Sequence, residues 1–158
     1  MVAPTVPSPE FNIPVKKPVV KNMELFLHDL GHRESGNRYH VVNKFGYMGK
    51  YQFGKSTLRT LKIKVTKEAF LNSPDLQEYA MQQNLLYNKK KLQKYIDRFE
   101  GQELNGILIT ESGILAAAHL AGQGNVRKFL KNGFVFEDGN GTKMTSYLKQ
   151  FGGYILDL

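Results

Sequence analysis

Between Thr110 and Ala121 the chain is apolar on most sides of any helix it forms, with Ile114, Leu115, Ala116, Ala117 and Ala118 in succession. A helix with no polar face must be covered all round, so this segment belongs at the centre of a small domain. The 158 residues suffice for one domain with a sizeable core and fall short of two ordinary domains plus a linker. A hydrophobic fraction of 41%, with 11% aromatic, argues against a disordered or fibrous chain.

The partners for that central helix are legible on either side. Met23, Phe26, Leu27 and Leu30 recur at helical spacing from Asn22 until Gly36-Asn37 stops them. Residues 35–53 are Gly-rich, and Tyr39, Val41, Phe45, Tyr47, Tyr51 and Phe53 alternate loosely with polar residues, which fits a short β-hairpin or an ordered loop. Leu58 and Leu61 mark a short helix over 55–62, and Thr66 with Glu68 starts a further turn through Phe70. Ser73-Pro74-Asp75 then combines a capping hydroxyl, proline at the first helical position and a first-turn acid. From there Leu76, Tyr79, Ala80, Leu86, Leu92, Tyr95, Ile96 and Phe99 carry a stripe to Gly101, as one long helix or two segments meeting near Tyr87-Asn88.

After the central helix, Gly122 and Gly124 are expected to separate it from a helix containing Val126, Phe129 and Leu130, closed by Gly133. Asp138-Gly139-Asn140-Gly141 marks a turn, and Thr142 is expected to cap a last helix through Tyr147, Leu148 and Phe151. Asp138, Asn140 and Thr142 also resemble the first half of a calcium loop. Lys149 stands where the twelfth-position glutamate belongs, so the segment reads as a turn and no metal or cofactor is expected. The expected class is mainly α (α+β), a helical domain with a small β-hairpin or ordered-loop insertion.

Residues 1–20 hold five of the six prolines and read as a flexible arm, leaving 21–158 as the domain. No apolar run approaches the roughly 20 residues needed to span a bilayer, and Met1 to Pro7 lacks the pattern of a signal peptide. The absence of cysteine is silent on compartment. The net charge of +8 suits a polyanionic partner, whether nucleic acid, anionic cell-wall polymer or membrane surface. The densest basic run, Asn88-Lys89-Lys90-Lys91, reads as a solvated helix face, and no nucleic-acid motif accompanies it.

Glu-Ser-Gly occurs twice, at 34–36 and at 111–113. Glu34 ends a helix, where the negative end of the dipole and partial burial both favour its neutral form; a carboxyl kept neutral can protonate a leaving oxygen. Spacing alone favours a solvated residue paired with Arg33 or Arg38. Glu111 follows Thr110 at a helix start, where an acid serves the dipole and the cap.

The first copy is followed by Gly46-Tyr47-Met48-Gly49-Lys50-Tyr51-Gln52-Phe53, and then by Ala116-Ala117-Ala118-His119-Leu120-Ala121-Gly122-Gln123-Gly124-Asn125-Val126. In that order and separation the three segments resemble the lysozyme-like lytic transglycosylases, the peptidoglycan-cleaving group that includes goose-type lysozymes. The resemblance spans residues 34 to 126. It implies that Glu34 is the catalytic acid and that Gly49 and Gln52 belong to a Gly-x-x-Gln loop lining the cleft. The Ala-rich helix is then packed behind the acid, with His119-Leu120 where the family often has Tyr-Asn. Ser35, Tyr51, Phe53, His119 and Tyr147 join Gly49 and Gln52 as candidate substrate-binding residues. Tyr154 is a second C-terminal tyrosine that could return to the cleft, and aromatic rings such as Tyr47, Tyr51 and Phe53 suit stacking on sugars.

The implied reaction cuts the bond between N-acetylmuramic acid and N-acetylglucosamine with one glutamate in two roles, leaving a 1,6-anhydro end. A muramidase-type hydrolase needs a second carboxylate, for which Asp75, Glu78 and Glu111 are the candidates in sequence. The competing class is a non-catalytic cell-wall-binding module of a larger assembly. The expected partner is the peptidoglycan glycan strand, with no nucleic acid. Action in the periplasm or cell wall, after delivery by a phage particle, lysis system or injection apparatus docked through the proline arm, completes the expectation.

Overall fold

A computed structural model describes residues 2–9, 12–14 and 18–158. The described parts of the proline-rich arm are exposed and carry no regular structure; its other positions, Lys16 and Lys17 among them, lie outside the described residues. The described chain is mainly helical with one two-stranded antiparallel sheet. The helices, in chain order, are α1 Met23–Ser35, α2 Lys55–Thr60, α3 Lys67–Leu71, α4 Pro74–Phe99, α5 Glu111–Ala121, α6 Gln123–Asn132 and α7 Met144–Gln150. The strands are β1 Glu103–Leu104 and β2 Ile107–Leu108. No described helix is long and apolar enough to cross a membrane.

The central helix is α5. Its residues from Ser112 to Ala118 are all buried, and α4, α6 and α7 pack around it. The approach of α7 is close enough to require glycine: a Cβ on Gly113 would lie 2.7 Å from the Leu148 carbonyl oxygen. The Ser112 hydroxyl, fully buried, donates to the Phe151 carbonyl at 2.6 Å and accepts from the Tyr154 amide at 3.0 Å, which ties the C-terminal tail to the core. Phe26 of α1 completes that side with an edge-on contact to Phe151 at 5.9 Å. Truncating a buried phenylalanine such as Phe26 to alanine costs ~3–5 kcal/mol.

The helix starts follow side-chain chemistry. Asn22, Thr66, Ser73 and Thr110 each accept a hydrogen bond from a first-turn amide of α1, α3, α4 and α5 respectively. One open alternative is resolved and two expectations need correction. α4 runs unbroken through Tyr87-Asn88, because the Asn88 side chain is buried and donates to Asn84 Oδ1 at 3.3 Å instead of competing for the helix backbone. Gly124 lies inside α6, which begins at Gln123 directly after Gly122. The residue preceding α7 is Lys143, with no side-chain cap, so Thr142 does not cap it.

The stripe read along α4 is also shifted. Tyr79 and Leu86 are 53% and 39% exposed, while the amides Gln77, Asn84 and Asn88 occupy the buried face beside Ala80, Met81, Leu85 and Leu92. The sheet, too, lies outside the Gly-rich stretch. Asn105 and Gly106, at φ +51° and +78°, turn the chain between the paired strands, with Leu104 opposite Ile107. Residues 35–53 instead form an ordered loop, pinned by the isolated bridges of Met48 to Val42 and to Phe53.

Candidate active site

Glu34 is delivered by the end of α1. Gly36, in the left-handed conformation at φ +67°, closes the helix, and its amide bonds the His32 carbonyl at 2.8 Å. One position before the end of the helix, the Glu34 carboxyl is half-buried and held above the usual carboxylate range, with burial the dominant cause. The nearby Asp138 carboxylate adds to the rise, while His119, a hydrogen bond from Tyr147 and the Arg33 charge work against it without cancelling it.

Tyr147 of α7 donates its hydroxyl to Glu34 Oε1. Burial, and then the Glu34 charge beside it, push that phenol well above its ordinary range, so it stays a donor. Arg33 lies over the Tyr147 ring at 4.0 Å, donating to Gln150 Oε1 and Ser146 Oγ at 2.7 Å each, which fastens the end of α1 to α7.

The Gly-rich loop is held from behind. His119 Nε2 donates to the Tyr51 carbonyl at 2.7 Å, and its Nδ1 accepts from the Asn84 amide at 3.0 Å. Since Asn84 Oδ1 is occupied by Asn88, the hydrogen-bond chain assigns the Nε2–H tautomer. The imidazole packs edge-on against Phe53 at 5.3 Å. Gln77 Nε2 donates to the Tyr39 and Phe70 carbonyls, and its Oε1 accepts from the Lys50 amide at 2.9 Å. Gly49, at φ +78°, sits so tightly on that amide that a Cβ would fall 2.2 Å from Gln77 Oε1. Gln52, at φ +56°, donates its side-chain amide to the Gly49 carbonyl at 2.9 Å.

A cleft of about 600 Å³ opens over these groups. Among the residues singled out in the sequence, Glu34, Gln52, His119 and Tyr147 line it, together with Tyr47 and Arg33. Ser35, Gly49, Tyr51 and Phe53 do not; they stand behind its wall. Ser35 Oγ donates to the Lys50 carbonyl at 2.8 Å, tying the helix end to the loop. The Tyr51 hydroxyl donates to Glu78 Oε2 at 2.8 Å, and Phe53 is 1% exposed. Tyr154 is also absent from the lining: its hydroxyl donates to Asp29 at 2.6 Å, and burial, then that bond and charge, push it up to about 12.

The facing wall was not anticipated. Phe45, Phe136, Glu137, Asp138 and Asn140 line the same cleft, and the Phe45 ring lies over Gly139, where a Cβ would approach it to 3.0 Å. In the sequence, Phe45 belongs to the aromatic alternation of 35–53 and Asp138 and Asn140 to the turn at 138–141, while nothing marks Phe136 or Glu137. Asp138 Oδ1 accepts from the amides of Asn140 at 2.9 Å and Thr142 at 2.7 Å, which fixes the carboxylate on its own turn. Of the acids first considered as partners for Glu34, none lines the cleft. Glu78 bonds Lys50, Tyr39 and Tyr51, and Glu111 pairs with Lys89 at 3.0 Å. Among the described residues no group of three or more His, Asp or Glu side chains could hold a metal ion.

The arrangement offers a carboxyl at Glu34 held above its ordinary range, a tyrosine donor that orients it, aromatic surfaces at Tyr47 and Phe45, and further carboxylates across the cleft. Comparison of the chain with protein-family models, curated proteins and solved structures found no match to any of them.

Proposed function

We propose that this protein is a lysozyme-like lytic transglycosylase that cleaves the MurNAc-β-1,4-GlcNAc bond of peptidoglycan. The observation that carries the reading is Glu34 itself: a half-buried carboxyl raised by burial, oriented by Tyr147, on the wall of an aromatic-lined cleft. Glu34 protonates the glycosidic oxygen as the bond to the muramic acid C1 breaks. The resulting carboxylate then takes the proton of the same sugar's 6-hydroxyl as that oxygen bonds to C1. The glutamate is returned protonated, one 1,6-anhydro end forms and no water is consumed. Tyr47 and Phe45, each about half exposed, offer faces for pyranose stacking, while Gln52 presents a polar group that His119 keeps in place through the loop.

A second reading, hydrolysis of the same bond, is favoured by one observation: Asp138 and Glu137 line the cleft with Glu34, where a carboxylate could activate water. Either reaction implies action on the cell wall, in the periplasm or outside it, with the basic chain drawn to an anionic polymer. Delivery by a phage or injection apparatus through the proline-rich arm belongs to the same proposal. Digestion of purified peptidoglycan by wild type and Glu34→Gln, with mass analysis, tests it. Anhydro ends made by wild type and lost in the variant are expected. Reducing ends would move the assignment to hydrolysis, and no products from wild type would leave a wall-binding module.

A further inference from the structure

The Gly-rich loop has a second use. It gives Tyr47 and Gln52 to the cleft, but Met48 to a separate pocket of about 550 Å³ built with α2 and the segment joining α2 to α3. The floor is aliphatic: Met48 and Leu58 are 2% and 4% exposed, and Ile63 and Val65 are partly buried against the core. Around it stand Lys55, Arg59, Lys62, Lys64 and Lys67, all exposed. Among the described residues no acid lines the pocket, and none of these five cations pairs with an acid. Lys62 is held at φ +59°, the left-handed region that side chains rarely adopt.

The backbone supplies an independent observation. After the turn made by Leu61 (φ −78°, ψ 0°) and Lys62, burial alternates as in a strand, with Ile63 and Val65 inward and Lys64 outward. The segment nevertheless pairs with no strand among the described residues. The Ile63 amide bonds the Leu58 carbonyl at 2.9 Å, but the amides and carbonyls of Lys64 and Val65 make no backbone hydrogen bond among the described residues.

We infer that this pocket docks an extended acidic peptide segment of a partner protein. The segment adds to the backbone at 63–65 as a strand, seats one aliphatic side chain on Leu58 and Met48, and sets its carboxylates against the surrounding lysines and Arg59. Strand addition supplies affinity through main-chain hydrogen bonds and specificity through alternate side chains, and charge of this sign accelerates encounter. The other polyanions fit less well. The apolar groups are recessed rather than protruding, so they cannot enter a bilayer, and the described lining has no aromatic ring or side-chain amide for a nucleobase. The site does not depend on any chemistry in the cleft.

The test uses the full chain and a fluorescein-labelled peptide, Asp-Glu-Asp-Leu-Glu-Asp, read by polarisation and by amide shifts of isotope-labelled protein. Saturable binding is expected, with shifts confined to Met48 and 55–67. Replacing the peptide leucine by serine, or the protein double substitution Lys55→Glu and Lys64→Glu, should each weaken it by about tenfold or more. Both lysines are exposed, so the variant should fold. N-methylation of alternate peptide amides should abolish binding in one register and spare it in the other. Equal binding of the serine peptide, tolerance of methylation in both registers, shifts centred on Glu34 and Tyr147, or no binding would each overturn the inference. So would uptake by phosphatidylglycerol vesicles of a protein that ignores the peptide.

Discussion

The two Glu-Ser-Gly tripeptides are identical in sequence and opposite in physics. Glu34 lies in the last turn of α1, at the negative end of the helix dipole, half-buried against Tyr147 on the cleft wall. Glu111 opens α5 at the positive end, pairs with Lys89 and lines no part of the cleft. The serines do similar work, each donating to a passing carbonyl, Lys50 for Ser35 and Phe151 for Ser112. The glycines do not. Gly36 is needed for its positive φ, since a Cβ there would meet only Arg38 Nε at an ordinary 3.8 Å, and Gly113 for its size where α7 crosses. Helix polarity and what packs on the carboxyl decide its chemistry, while residue identity alone does not.

The largest contrast should be in turnover. Glu34→Gln is expected to lower peptidoglycan cleavage about a thousandfold, whereas Glu111→Gln should stay within about threefold of wild type; the reverse order of rates would break the comparison. The glycines should separate next, in urea unfolding. Gly113→Ala forces a methyl onto a backbone oxygen and should cost ~1–3 kcal/mol, against ~1 kcal/mol for Gly36→Ala, which meets only the left-handed conformation.

Tyr147→Phe sharpens the account of Glu34. The lost hydrogen bond favoured the charged carboxyl, so its removal should move the Glu34 titration still higher. The basic limb of the kcat–pH profile is expected to shift upward while kcat falls about tenfold; a downward shift would contradict it. The same carboxyl makes a stability prediction. Its folded titration lies above the unfolded one, so burial costs nothing below the unfolded value, near the reference 4.5, and destabilises as pH rises through the folded value. The melting temperature of Glu34→Gln should therefore match wild type at low pH and exceed it by on the order of a few degrees at neutral pH. The smallest effect belongs to the other copy: Lys89→Ala should cost less than about 1 kcal/mol and lose its effect in high salt, since both partners are a quarter exposed.

Much of the helical frame could be read from local chemistry, because Asn22, Thr66, Ser73 and Thr110 cap with their own side chains. The hairpin has a local signature as well: Asn105-Gly106 between Leu104 and Ile107 is a strong signal for a two-residue turn. The buried amides of α4 were not legible. Gln77, Asn84 and Asn88 look like a solvated face until Lys50, Tyr39, Phe70 and His119 arrive from distant segments to satisfy them. The cleft divides in the same way. Glu34, Gln52, His119 and Tyr147 are implied by the family resemblance and not by spacing alone, but the wall of Phe136, Glu137 and Asp138 exists only because the turn at 138–141 packs across from Phe45.

The central claim is that packing around Glu34 makes it a proton donor. Its most direct measurement is a pH titration of the glutamate side-chain carboxyl carbons by NMR, with the Glu34 curve identified by its loss in Glu34→Gln. The account predicts a midpoint above 4.5, rising further in Tyr147→Phe. A midpoint at or below 4.5 would contradict it.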